Sequence, residues 1–366
     1  MAKAKYTKGS DGYYQTKVWD GTYTELGKKK YVTLRTDKSS KALEKLVNEH
    51  NRAVEERRLV KKTDMLFTTY AKTWRTVYKA NREKNTLAMY DRIIGKFSVL
   101  EGVRLCDISR LHYQTVINNA DGHPRTQQQI VLTFKQILKS AVADRYLPAN
   151  IIPDIFDHAD RIKYYASEKR PLTETEKAAV FRADLLPQDK AFLYVLYGCG
   201  LRRGEALALT RFDIDLQRCT LSVRRALAFD GNSAYIKGTK SSNGIRTVPI
   251  PSKVLPFLRT YCHDIHREKL FCTRDGSWVT KSSYRKMWSR ILAGLQAVAD
   301  GPIEGLTAHV FRHNYCTNLC YQIPAISIGK VAELLGDTEK MVLEVYNHII
   351  AEKEDAAGAV ESALNF

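Results

Sequence analysis

No apolar run in this 366-residue chain approaches the roughly 20 residues that a bilayer-spanning helix needs. The opening, MAKAKYTKGSDGYYQ, lacks the apolar core of a secretory signal. Membrane insertion and export are therefore not expected, and the cytosol is the expected compartment. Cysteine is scarce: seven in all, an odd number, with no C-x-x-C pair. That excludes a disulfide scaffold and favours reduced, buried thiols. Acidic residues are also in deficit. Forty Asp and Glu face 58 Lys and Arg, a net charge of +18. Such an excess points to a polyanionic partner, nucleic acid rather than a membrane. With 44% hydrophobic and 10% aromatic residues the chain is not disordered, and its length allows two or three domains.

The positive charge is densest at the front. Residues 1–61 hold 15 basic and 8 acidic residues, and residues 170–366 hold 26 and 21. Tyr13 to Trp19 is β-prone and runs into Asp20-Gly21, a hairpin turn signal. Lys30 to Arg35 is a second β-prone stretch, and a helical period follows Ser39 and Ser40, with Leu43, Leu46 and Val47 on one face. This predicts a small sheet plus helix over residues 1–60. Its ribbon carries Lys17, Lys28, Lys29, Lys30 and Arg35, and a two-stranded ribbon fits a DNA major groove. Residues 62–153 read as all helix, with apolar stripes such as Phe67, Tyr70, Trp74 and Phe134, Ile137, Leu138. Arg75, Lys79, Lys135 and Lys139 lie between the stripes, on either a DNA-facing surface or solvated faces. Residues 154–170 lack a period and read as a linker. Thr173 with Glu176 then fits a capping box that opens a mixed α/β domain over 171–366.

Four stretches carry chemistry. Gly200-Leu201-Arg202-Arg203-Gly204-Glu205 places an arginine at a helix–helix corner, suited to an oxyanion or to plain capping. Lys237 to Pro249 contains the turn signal Ser242-Asn243-Gly244 between β-prone arms, a basic hairpin with a lysine near its tip. His309 and Arg312 are three apart and share a helix face. Leu334-Leu335-Gly336-Asp337 ends a helix ahead of Tyr346. His309, His313, Cys316 and Cys320 have a ladder-like spacing, but one helix spreads its ends about 16 Å apart, too far for one metal ion.

In this order, Arg, Lys, His-x-x-Arg and a late Tyr resemble the tyrosine recombinase (phage integrase) family, closest in layout to lambda-type and conjugative-transposon integrases. The resemblance rests on G-L-R-x-G-E, T-K-S-S-N-G-I-R-T-V-P, H-x-x-R-H and L-L-G with a tyrosine ten residues after that glycine. It implies a multi-domain, mainly α chain with small β elements. The order would be an arm-site DNA-binding domain (1–60), a helical, SAM-like core-binding domain (62–153), a linker (154–170) and a catalytic domain with a tail (171–366).

By position, the resemblance makes Arg202 and Arg312 the phosphate-clamping arginines, Lys240 the hairpin lysine, His309 the motif histidine, Glu205 the supporting acid and Tyr346 the nucleophile. One position departs. The family has His or Trp directly after Leu-Gly; this chain has Asp337, an anion that repels phosphate unless paired. That implies a slower or differently tuned site, or cover by another residue such as His348. The implied activity is site-specific recombination through a 3′-phosphotyrosine, serving integration and excision, with no metal, nucleotide or other cofactor. A resolvase or invertase of the same family and an inactive DNA-binding regulator are the alternatives. The implied partners are double-stranded DNA at core and arm sites, sister subunits of a homotetramer docked through the C-terminal tail, and an excisionase or DNA-bending host protein. The tail's apolar residues equally suit packing on its own domain.

Overall fold

The computed structural model describes residues 4–24, 28–58, 63–157, 159–160, 162–164, 170–238 and 244–353. The chain forms two compact units, Met1–Ala166 and Ser167–Phe366. Among the described residues no helix is long and apolar enough to cross a membrane.

The first unit begins with β1 (Tyr14–Tyr23) antiparallel to β2 (Lys29–Thr36), Val18 facing Val32 and Trp19 facing Tyr31. Asp20-Gly21 does not turn the chain. Gly21 takes φ +87° inside β1, where a Cβ would lie 3.1 Å from Val54, and the register slips between Trp19 and Tyr23. A left-handed glycine in a strand makes a bulge as readily as a turn. The reversal comes later, where the Thr24 N–H donates to the Lys28 carbonyl at 2.7 Å. Helix α1 (Ser40–Arg58) lays Leu43, Val47 and Val54 against this ribbon, while Leu46 is exposed. A two-stranded ribbon covers a narrow stripe, and Leu46 falls at its margin.

The rest of the unit is helical: α2 (Phe67–Tyr78), α3 (Lys84–Gly95), α4 (Arg110–Asn118), α5 (Pro124–Ala143) and α6 (Ile151–Phe156). They enclose a separate, aromatic-rich core. The Phe134 ring lies 4.9 Å from Phe67, 5.6 Å from Phe97 and 5.6 Å from Tyr113. The polar ends of buried aromatics find partners. Trp74 Nε1 donates to Ser140 Oγ at 3.0 Å and the Tyr70 hydroxyl to Asp144 at 2.6 Å. The expected linker is corrected at its start. Residues 154–156 complete α6, Ile155 is fully buried, and Phe156 packs edge-on to Tyr113 at 5.1 Å. Six helical residues are too few for a period to show.

The second unit opens with α7 (Glu174–Arg182), capped by the Thr173–Glu176 box, Arg170 gripping the Glu176 carboxylate with two 2.6 Å bonds. Burial alone would raise the Glu176 carboxyl pKa; the hydrogen-bonded Arg170 outweighs it and holds the pKa below the usual value. Helix α8 (Pro187–Cys199) is apolar on nearly every face and runs through the core. Around it lie α9 (Arg203–Leu207), α10 (Leu255–Asp264), α11 (Lys281–Gln296) and α12 (Ala308–Cys320). Helices α13 (Ile328–Leu335) and α14 (Glu339–Lys353) share a smaller core with α12.

Among the described residues two small sheets complete the unit. Strands β3 (Ile214–Asp215), β4 (Thr220–Val223) and β7 (Arg246–Pro249) form one, in the order β3-β4-β7. Strands β5 (Arg225–Asp230) and β6 (Ser233–Gly238) form a hairpin through Gly231 at φ +57°. This corrects the expected hairpin around Ser242: its arms, β6 and β7, pair with different strands. The turn signal at 242–243 itself lies outside the described residues; pairing is settled by burial, and β7 buries Arg246 and Val248 beside β4.

Candidate active site

The corner at Arg202 is built by Gly200, which ends α8 at φ +60°. A Cβ there would lie 2.4 Å from the Tyr315 ring, so this position requires glycine. The chain then turns into α9, with Glu205 in its first turn. Glu205 Oε2 accepts from the Arg202 backbone N–H at 2.9 Å and Oε1 from the Arg202 guanidinium at 2.9 Å. That aims the half-exposed guanidinium away from the core.

Arg312 comes from the second turn of α12 and is buried. Its Nη1 donates to the Gly200 carbonyl at 3.1 Å, which fixes it against the Arg202 corner. Its Nη2 donates to Asp337 Oδ2 at 2.9 Å. Arg202 Nη2 donates to that same oxygen at 3.0 Å and to the Gly336 carbonyl at 3.1 Å. Two guanidiniums, from elements 110 positions apart in sequence, therefore converge on one anionic oxygen.

Arg246, in the T-K-S-S-N-G-I-R-T-V-P motif, has a role that its sequence context does not show. On β7 it points inward, and its Nη2 donates to Glu205 Oε2 at 2.8 Å and its Nε to the Leu334 carbonyl at 2.8 Å. The signal was an arginine at the inward position of a strand, alternating with Val248. Glu205 thus bridges Arg202 and Arg246, and three guanidiniums face two carboxylates in a mostly dry cluster. Burial, then the charge of Arg202, lowers the Arg312 pKa to about 10. Burial pushes the Glu205 and Asp337 pKa values up, but the arginines hydrogen-bonded to them prevail and hold both below the usual carboxylate range.

His309 sits exposed in the first turn of α12, one turn before Arg312. With Arg312, His313 and Asp337 it borders a cavity of about 60 Å³ that Met341 and Val345 of α14 also line. Tyr346 follows Val345 and is half-buried against the α12–α13–α14 core. Among the described residues its hydroxyl has no hydrogen-bond partner. Lys240, and the tail beyond residue 353, lie outside the described residues. His348 is exposed on α14, a helix position beyond Asn347. The structure thus gathers Arg202, Glu205, Arg312 and Asp337, sets His309 beside them and leaves Tyr346 unbonded to them. Among the described residues no cluster of His, Cys, Asp and Glu could hold a metal ion.

Residues 172–353 match the Phage integrase family. This chain belongs to that family, the tyrosine recombinases. Along 97% of its own length and 97% of the relative's, it is 26% identical to the "Tyrosine recombinase XerC-like" protein of Caldanaerobacter subterraneus subsp. tengcongensis. In fold, this tyrosine recombinase is similar to the Tn1549 transposon integrase, solved in complex with circular intermediate DNA. The TM-score is 0.64 and the identity 19%, covering 79% of this chain and 99% of the other. It is similar also to a lambda integrase tetramer bound to a Holliday junction, with a TM-score of 0.57 and 15% identity over 93% of each chain.

The basic residues expected to meet DNA fall into two groups. Lys17, Lys28, Lys29, Lys30 and Arg35 are all exposed on the ribbon. Strand alternation puts Lys17, Lys29 and Arg35 on the face turned from α1, beside Trp19 and the exposed Tyr31. Lys29 Nζ lies 5.0 Å above the Trp19 ring, and the Arg35 guanidinium 3.8 Å above Tyr13. The helical group is partly engaged within its own unit. Arg75 pairs with Asp91 at 2.5 Å, Lys79 covers Trp74 at 4.7 Å, and Lys135 covers Phe156 at 5.1 Å. Lys139 is exposed.

Replacing Glu205 by glutamine should lower the unfolding free energy of the second unit by about 3 kcal/mol, because Arg246 would be left buried and uncompensated. The pH dependence has a definite sign. A carboxyl whose folded pKa is depressed contributes stability above its unfolded value near 4.3 and loses it as pH falls through the folded value. Resistance of the wild type to urea should therefore fall as pH drops below about 5. The Glu205→Gln curve should start lower and fall less steeply.

Proposed function

We propose that this chain is the integrase of a mobile element. It would break and rejoin double-stranded DNA through a covalent 3′-phosphotyrosine and serve both integration and excision. The observation that carries this reading is the convergence of Arg202 and Arg312 on one oxygen, at 3.0 and 2.9 Å. Two fixed guanidiniums aimed at a point form a seat for a nonbridging oxygen of a scissile phosphate.

In this reading the Tyr346 oxygen attacks the phosphorus and the 5′-oxygen of the next nucleotide leaves. A phenol loses its proton near pH 10 in water, so the proton must leave as attack proceeds. His309, beside the arginines, is placed to take part in that transfer and to touch the phosphate. Lys240 protonates the leaving oxygen. Glu205 touches no DNA and holds Arg202 in position. The bond energy is kept in the phosphotyrosine, and a free 5′-hydroxyl from another DNA end reverses the steps.

Residues 1–60 would read arm sites through the basic, aromatic face of the ribbon. Residues 62–153 and 171–366 would take the core site. Four copies would act together on two duplexes in the bacterial cytoplasm, tied through their tails, with an excisionase or DNA-bending host protein setting direction.

DNA flanking the gene, nicked next to candidate cleavage points, tests the reading. Wild-type protein should give a slow-migrating adduct on denaturing gels. Nuclease and protease digestion should then leave the nucleotide remnant on the peptide that contains Tyr346. Specific binding without any adduct would sink the proposal, and a remnant on another tyrosine would move the nucleophile.

A further inference from the structure

Asp337 stands where both arginines point, and its surroundings give it more than a supporting role. Oδ2 accepts from Arg202 at 3.0 Å and from Arg312 at 2.9 Å, while Oδ1 accepts from the Thr338 N–H at 3.2 Å, at the start of α14. The residue that holds the arginine pair thus sits two positions before the helix that bears Tyr346. We propose that Asp337 is a displaceable seat-holder: its carboxylate occupies the place of the scissile phosphate, and DNA must evict it as the phosphate arrives. This rests on the recombinase reading above.

The chemistry favours exchange over coexistence. A carboxylate and a phosphodiester each carry one negative charge and seek the same N–H donors. Arg312 Nη1 is committed to Gly200 and Arg202 Nη1 to Glu205, so the Nη2 groups now on Asp337 are the ones a phosphate oxygen would claim. With Asp337 retained, the cluster holds one excess positive charge; with its carboxylate turned away, two. The side chain is 30% exposed, so one edge of the carboxylate already faces water. A groove of about 480 Å³ beside it gives room; it is bordered by Glu339, by Arg246, which is already bound to Glu205, and by Glu333, which pairs with Lys330 at 2.7 Å. Turning away gives up both charge-assisted bonds to Arg202 and Arg312, which makes the displaced state costly. A lone anion then competes poorly. A duplex, held by many phosphate contacts elsewhere on the protein, can meet that cost, so the seat opens for bound DNA and stays shut to free phosphate.

The test needs no DNA chemistry at first. Full-length protein is titrated with inorganic phosphate and binding is followed by phosphorus NMR line broadening. Asp337→Asn, which keeps shape and drops the charge, should bind phosphate at least about tenfold tighter than wild type. Asp337→Ser, which keeps an oxygen for the Thr338 N–H, should do the same. Asp337→Glu, which restores the charge, should bind near the wild-type level. The gain in Asp337→Asn should vanish when Arg202→Ala is added. With nicked DNA, Asp337→Asn should form adduct faster and be inhibited by phosphate at lower concentration. Thermal melts confirm that each variant is folded. Unchanged or weaker phosphate binding by folded Asn and Ser variants would overturn the proposal and leave Asp337 a fixed prop of the arginines. Equal gains in the Glu and Asn variants would overturn it too, since shape rather than charge would then govern. If adduct chemistry proves to use another tyrosine, the phosphate titration still decides the role of Asp337.

Discussion

Tyr346→Phe is expected to abolish adduct formation, by at least about 10⁴-fold, while DNA affinity and stability stay near wild type. The substitution removes one oxygen. That oxygen has no partner among the described residues, so its loss strands no donor or acceptor among them. The ring remains half-buried against the core shared by α12, α13 and α14, and the stability change should lie within about 0.5 kcal/mol. Binding depends on phosphate contacts spread over a chain of net charge +18, and the phenol adds little to them. Activity, by contrast, needs a nucleophile that phenylalanine lacks. Single-turnover assays on nicked DNA, paired with gel-shift titrations, separate the two effects. Adduct at the wild-type rate would show that another tyrosine attacks. Loss of adduct together with loss of binding would show that Tyr346 is structural.

Local signals reached the right backbone wherever a short segment decides its own conformation. The Thr173–Glu176 box caps α7 as its spacing predicts. The helix–helix corner at Arg202 stands where expected, made by Gly200 at φ +60° beneath Tyr315. The aromatic stripes of residues 62–153 became core because period and size act together on long helices. Failures came where distant chain decides. Asp20-Gly21 has the composition of a turn, yet Val54, from another element, fits against it and keeps the strand running. The Ser242 arms are β-prone, yet β7 goes to β4 because Val248 is buried there. Arg246 was visible in its motif, but its link to Glu205, 41 positions away, exists only in three dimensions. Asp337 shows the same limit from the other side. Its identity departs from the family pattern and looked unfavourable beside a phosphate. Two arginines already claim it, a fact that no reading of neighbours in sequence supplies.

Arg312→Ala is expected to cost on the order of 10³ in adduct formation, and Arg312→Lys to recover little of it. Arg312 Nη1 reaches the Gly200 carbonyl and Nη2 the shared oxygen at Asp337. This fork fixes α12 to the Arg202 corner and presents a donor to the oxyanion at once. A lysine restores the charge but has a single ammonium, so it can serve one of these places and not both. Burial matters as well. Arg312 already has its pKa pressed down to about 10, and a lysine, starting about two units lower than arginine, would be driven further toward neutrality in the same site. Arg202 differs in this respect. Its side chain is 41% exposed, against 5% for Arg312, so Arg202→Lys can extend an ammonium to the phosphate from solvent and should recover part of the rate. The contrast between the two lysine variants is the diagnostic result. If both arginines tolerate lysine equally, the pair acts as a general positive field rather than a fixed seat. If Arg312→Lys is inactive and Arg202→Lys is not, directed donors at Arg312 do the catalytic work, and the phosphate takes up the geometry now held by Asp337.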